Sequence, residues 1–250
     1  MKENTIITDI FTLKDIFSVV AAIVDNCGFF FSEKGLRIAT IDPANIALLE
    51  MDIPKEDFKE YNITDICIIE MRSTDILKII DDKKGSEPVE IFIETTNRGE
   101  DKEESIIRFK IRNLAHIFIS SRPRRKDRNS EYLTKDCIEV LVSLDFFQEA
   151  MSACNRISNY VLFESKADKI RIYCEDTARR IETFIDHRED KKISSIFSLD
   201  YLNDIANAIN VANNSKIILY LGYNWSMTIR FKVGKYGSGT FNIAPRIEPE

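Results

Sequence analysis

Two stretches half a chain apart carry nearly the same strand-like string, IIRFKI at residues 106–111 and TIRFKV at 228–233, an offset of 122. A second pair, TLKDIF from residue 12 and SLDFFQ from residue 143, repeats at an offset of 131 in the same order. Offsets this similar point to a duplicated domain within 250 residues, so each half must fold into the same arrangement of elements.

The hydrophobic periodicity says what that arrangement contains. In TLKDIFSVVAAIV (12–24) the apolar positions Leu13, Ile16, Phe17, Val20, Ile23 and Val24 fall at helical spacing. FFFSEKGLRIATID (29–42) reads as strand, tight turn at Glu33 to Gly35, and strand, and IALLEMDI (46–53) as a third strand. STDILKII (73–80) predicts a short helix capped by Ser73 or Thr74. VEIFIETT (89–96) and SIIRFKIRN (105–113) form a strand pair around the acidic turn NRGEDKEE. The second half repeats the order: a helix at 143–157, strand, turn and strand at 160–176, a third strand at 179–186, a helix at 198–212, and a strand pair at 215–222 and 225–233. The fold class is therefore α+β, with many strands and a few helices, in two similar domains.

Between the halves, LAHIFISSRPRRKDRNSEYLTKD (114–136) is basic and polar at its centre, the composition of a surface linker. The expected division is an N-terminal domain over 1–114, a connecting loop over 115–136 and a C-terminal domain over 137–250.

Composition narrows the function. A hydrophobic fraction of 44% with 30% charged residues fits a soluble globular chain without a signal peptide or a membrane helix, expected inside the cell. Cys27, Cys67, Cys137, Cys154 and Cys174 form no CxxC pair, so buried reduced thiols are expected, and His116 and His187 have no ligand at zinc spacing. A net charge of -6 restricts any nucleic-acid contact to a local basic patch. No phosphate-binding, nucleophile-elbow or zinc-protease motif is present, which predicts neither enzymatic activity nor a cofactor. GKYGSG (234–239) lies between two strand patterns and reads as a hairpin turn. The acids Asp81 and Asp82, or those at 100–104, leave a metal-dependent nuclease or hydrolase as the alternative from another class.

GLRIATIDPANIALLEMDIP (35–54), residues 198–204 and the ending FNIAPRIEPE (241–250) resemble the sliding clamps of the proliferating cell nuclear antigen (PCNA) family. The resemblance spans nearly the whole chain in element order. It implies two similar domains per subunit, three subunits in a ring with antiparallel sheets outside and helices lining the hole, and a non-catalytic processivity factor on duplex DNA. Partners implied are DNA polymerase, flap nuclease, ligase and a clamp loader, and the ring is a homotrimer or a heterotrimer with related subunits. The ending favours an archaeal source, hence a cytoplasmic nucleoid location, against a nuclear one in a eukaryote. A checkpoint-type clamp subunit is the near alternative.

By the same resemblance, a partner peptide with an aromatic and aliphatic anchor docks on Ile41, Asp42 and Asn45, on Trp225, Ser226 and Met227, and on the tail residues Ala244, Pro245 and Arg246. Tyr132 and Leu133 stand for the connecting loop, whose centre is unusually basic with Arg122, Arg124, Arg125, Lys126 and Arg128. The DNA-facing cations are expected to be Lys14, Lys78, Lys83, Lys84 and Arg156, outnumbered by nine acids in the same stretches. Subunit contacts are expected along edge strands around 106–112 and 179–185, with Arg108, Lys110, Arg179, Arg180 and Glu182 setting the pairing.

Overall fold

A computed structural model describes residues 4–97, 103–122, 137–187 and 191–246. The chain forms two compact units that do not follow chain order strictly. The first comprises Met1–Thr40, Leu49–Ser130 and Lys232–Gly239, and the second Ile41–Leu48, Glu131–Phe231 and Thr240–Glu250.

In the first unit, β1 (Asn4–Asp9) leads into α1 (Ile10–Ala21), whose start is fixed by the Asp9 carboxylate accepting from Thr12 N at 3.0 Å. The helical spacing expected from sequence does bury Leu13, Ile16, Phe17 and Val20, with the Phe17 ring 5.0 Å from Phe29. β2 (Asn26–Ser32) and β3 (Gly35–Ile41) form a hairpin paired through Ser32 and Gly35. Gly35 has φ 138°, and a Cβ there would strike the carbonyl of Ile53, so no other residue fits this turn. β4 (Ala47–Pro54) follows, then β5 (Glu60–Asn62), β6 (Cys67–Arg72) and α2 (Ser73–Ile80), which packs against α1.

The expected cap of α2 is corrected. Ser73 already lies within the helix, and the carboxylate of Asp25 does the capping, accepting from Thr74 N at 3.3 Å and Thr74 Oγ1 at 2.5 Å. The Thr74 hydroxyl and Arg72 hold the Asp25 carboxyl below its ordinary value.

β7 (Pro88–Asn97), β8 (Glu103–Ile111) and β9 (Leu114–Arg122) complete a five-stranded antiparallel sheet in the order β5-β1-β7-β8-β9. Two expectations change here. Residues 114–122, read as the start of a linker, pair with β8 along their whole length, because LAHIFIS alternates about a tight turn in which Arg112 takes φ 55°. β8 is consequently an interior strand, and the free edge passes to β9. The rest of the expected connecting loop, with Tyr132 and Leu133, lies outside the described residues.

The second unit repeats the order. β10 (Ile138–Ser143) leads into α3 (Leu144–Asn155), followed by β11 (Tyr160–Lys166), β12 (Lys169–Glu175), β13 (Arg180–Asp186), β14 (Ser194–Ser198), α4 (Leu199–Ala208), β15 (Lys216–Leu221), β16 (Met227–Val233) and β17 (Gly237–Ile243). One sheet runs β13-β12-β11-β14, leaving β13 at an edge as expected, while β10 pairs with β15 and β15 with β16. Gln148 of α3 donates to Ala206 O at 2.8 Å and ties the two helices together. The matching strings IIRFKI and TIRFKV fall in β8 and β16, equivalent places in the repeated order.

GKYGSG is a hairpin turn into β17. Its amides are gathered by one carboxylate of the same unit, Asp57, which accepts from Lys235 N at 2.8 Å, Tyr236 N at 2.9 Å and Gly237 N at 2.7 Å.

Candidate partner-docking surface

Three of the segments expected to hold a partner peptide converge within the second unit, and local hydrogen bonds explain how. In the first, Asp42 is 2% exposed and turns inward. Its carboxylate accepts from Ala44 N at 2.9 Å, from Ile46 N and Ala47 N at 2.6 Å each, and from the Tyr201 hydroxyl of α4 at 2.6 Å. Burial opposes the charge most strongly, yet the Tyr201 hydroxyl and the three amides outweigh it and keep the Asp42 carboxyl below its usual value. Burial together with the Asp42 charge pushes the Tyr201 phenol up to about 12. The turn thus pinned places Asn45 at φ 58°, a left-handed conformation that asparagine tolerates, and leaves Ile41 47% exposed.

The tail joins this turn directly, since Ala244 N donates to Ile46 O at 2.8 Å. Two residues on, Arg246 N donates to Ile196 O at 2.7 Å on the open side of β14, and its guanidinium lies 3.7 Å from the Tyr160 ring centre. The loop before β16 meets the same strand. Asn224 N donates to Ser194 O at 2.9 Å, and Ser195 Oγ accepts from Trp225 N at 3.2 Å while donating to Gly222 O at 3.0 Å. β14 therefore anchors both the tail and the loop, and presents Trp225 and Tyr223 half-exposed. A cavity of about 390 Å³ opens beside them, lined by Lys191, Lys192, Tyr223 and Trp225.

Of the expected docking residues, Ile41, Asn45, Trp225 and Arg246 are exposed, and Ser226, Ala244 and Pro245 half-buried. Asp42 and Met227 are buried and lie beneath the exposed side chains. Sequence reasoning missed Tyr201, Ser195, Tyr160, Lys191 and Lys192. Tyr201 stood inside the family-like string at 198–204, but its partner is 159 residues away.

The expected DNA-facing cations are largely paired. Lys14 reaches Asp81 with its Nζ 3.8 Å from the carboxylate, Lys78 lies 3.6 Å from Asp75, and Lys83 lies 2.7 Å from Asp82. Lys84 and Arg156 are exposed. The same pairs place Asp81 and Asp82 beside lysines, and no group of acids, cysteines or histidines among the described residues is arranged to hold a metal ion. On the strands, Arg108 faces Glu94 at 3.8 Å and Lys110 faces Glu90 at 3.0 Å. Arg179 pairs with Asp176 at 2.8 Å, Glu182 with Lys166 at 2.9 Å, and Arg180 is exposed. Arg108 and Lys110 sit on an interior strand, so they do not line the sheet edge expected of them.

Fold and sequence comparisons define the class. The family model for the N-terminal domain of proliferating cell nuclear antigen matches residues 4–117. A DNA polymerase sliding clamp of Methanosarcina barkeri is 30% identical over 248 residues, covering 95% of this chain and 96% of the relative. That of Archaeoglobus fulgidus is 28% identical over 247 residues, covering 95% and 96%. Among solved structures, one described as the C-terminal region of FEN-1 bound to A. fulgidus PCNA superposes with a TM-score of 0.81 at 24% identity, over 99% of this chain and 100% of that one. A PCNA2-PCNA3 complex from Sulfolobus tokodaii gives 0.77 at 15% identity, over 98% and 100%. The chain belongs to the proliferating cell nuclear antigen family of DNA sliding clamps.

Proposed function

We propose that three copies of this chain close a ring around duplex DNA, and that the surface formed by Ile41, the Tyr223–Trp225 loop and the tail tethers replication and repair enzymes through short peptides. The observation that carries the tethering is that the loop and the tail both bond to β14 while the tail also bonds to the turn after Ile41, which leaves aromatic and aliphatic side chains exposed beside an extended tail. Burying such an anchor yields about 25 cal/mol per Å² of apolar area, and the tail backbone can pair with an arriving strand. The bound FEN-1 segment in the A. fulgidus structure supports a nuclease as one such partner. Polymerase, ligase and an ATP-driven clamp loader complete the set. The chain itself catalyses nothing and acts inside the cell, where the DNA is. Trp225→Ala is expected to weaken a clamp-binding peptide about tenfold, the effect of losing one half-exposed aromatic contact, as read by calorimetry.

Ring closure rests on two exposed edges of one chain. β9 carries Ile117 at 56% and Ile119 at 66% exposure, and β13 carries Phe184 at 40%. Pairing β9 of one copy with β13 of the next covers both edges and their apolar side chains. Light scattering is expected to give a mass near three times 28.9 kDa. A concentration-independent monomer would count against closure by this chain alone.

The paired lysines bear on how DNA is held. With Lys14, Lys78 and Lys83 each beside a carboxylate, three of the five expected cations among the described residues are already paired, so retention is topological rather than electrostatic. Mobility-shift titration at about 0.1 M salt is expected to show no binding of short linear duplex. Submicromolar binding under those conditions would contradict this.

A further inference from the structure

We propose that the docking surface selects partner peptides whose anchor is flanked by aspartate or glutamate, through a cationic rim made by Lys191, Lys192 and Arg246. This rests on the peptide-tethering reading above and names the chemistry of its partner.

Two of the rim's charges are held over aromatic rings. Lys192 Nζ stands 4.3 Å from the ring centre of Tyr223, and Arg246 lies 3.7 Å from that of Tyr160, so both cations are steered over aromatic faces rather than left to sample solvent. Lys191 Nζ donates to Cys137 O at 3.4 Å at the same cavity. None of the three cations has a carboxylate within ion-pair distance among the described residues, unlike the lysines of α1 and α2, which are paired. The one acid among the described residues of the turn, the loop and the tail, Asp42, faces inward with four donors, so its charge is already satisfied below the surface. What remains on the outside is apolar ring area from Trp225 and Tyr223 bordered by cations. A peptide placing its anchor on Trp225 brings its neighbouring side chains to these ammonium and guanidinium groups. A carboxylate there gains attraction without displacing a partner among the described residues, whereas a lysine or arginine is repelled.

The rim is also well fixed. The loop carrying Tyr223 and Trp225 is bonded to Ser194 and Ser195, which follow Lys191 and Lys192 almost directly in the chain, so lysines and aromatics move as one piece. Preorganised charges lose less freedom on binding than free surface lysines.

The test uses the full chain and three synthetic peptides with one common aromatic–aliphatic anchor, flanked by aspartates, by serines or by lysines, with affinities read by calorimetry. The acidic-flank peptide is expected to bind about tenfold tighter than the serine one at low salt, the lysine one more weakly than either, and the spread is expected to shrink at 0.5 M salt. In Lys191→Ala/Lys192→Ala the acidic-to-serine affinity ratio should fall towards one, and in Lys192→Arg, which keeps the charge, it should persist. Equal affinities for the three peptides in the parent chain would overturn the rim proposal while leaving the docking surface standing. Failure of all three to bind would overturn the docking surface itself, and the rim with it.

Discussion

Asp42→Ala is expected to cost about 3 kcal/mol of stability and to abolish peptide binding, although the side chain touches no ligand. The carboxylate is 2% exposed and is the common acceptor for Ala44 N, Ile46 N, Ala47 N and the Tyr201 hydroxyl. Removing it leaves four donors without their acceptor and frees the turn that sets Ile41 and receives the tail at Ile46. Tyr201→Phe removes one of the four donors and keeps the ring, so about 1 kcal/mol is expected, with peptide binding largely retained. If the two variants were equally mild in thermal unfolding, the turn would not depend on this carboxylate. The Asp42 carboxyl is lowered from an ordinary 3.8, so its contribution is present above that pH and is lost as pH falls through the lower folded value. The Tyr201 phenol is raised from 10.0 to about 12, so its contribution is full below pH 10 and is lost as pH rises through that interval. Stability attributable to the lock should be flat between these limits.

Ile117→Asp/Ile119→Asp on β9 is expected to convert the proposed ring into free subunits. Each isoleucine buried between copies contributes about 1.5–3 kcal/mol, and an aspartate in its place adds a desolvation cost, so association falls by at least about a thousandfold. Both side chains are more than half exposed in the single chain, so the fold itself should survive, as circular dichroism and the unfolding midpoint can show. Leu141→Asp on β10 is the control: it is 59% exposed and lies on neither β9 nor β13. It should leave the mass near three times 28.9 kDa. Dissociation by Leu141→Asp but not by the β9 pair would move the interface elsewhere.

Much of the fold was legible because it is written in local periodicity. The apolar spacing of α1, the β2–β3 hairpin about Gly35 and the β12–β13 succession follow from residues within one turn or one hairpin of each other. The edge of the first sheet was not. LAHIFIS alternates like a strand, but the basic, proline-containing run after it has the composition of a linker, and only the ladder with β8 shows which signal prevails. Once β9 exists, β8 cannot be an edge, and Arg108 and Lys110 move inside the sheet. The cap of α2 escaped for a related reason: Asp25 lies 49 residues before Thr74, and Ser73 offered a local substitute. At the docking surface the family-like strings marked Ile41, Asp42 and the tail, because a pinned turn and an extended ending leave sequence traces. Tyr201, Ser195 and the Lys191–Lys192 pair did not stand out, since their importance comes from bonds and stacking with residues 30 or more positions away.

If this chain holds DNA by enclosing it, its lifetime on DNA depends on whether the DNA has ends. That dependence is read as retention of the labelled chain, loaded by a clamp loader and ATP, on a nicked circular plasmid and on the same plasmid after linearisation. Persistent retention on the circle, with rapid loss from the opened ends, is the result expected of a closed ring with few free cations facing the phosphates. Equal lifetimes on circle and line would contradict it, and would show that whatever holds the chain to DNA is contact rather than topology.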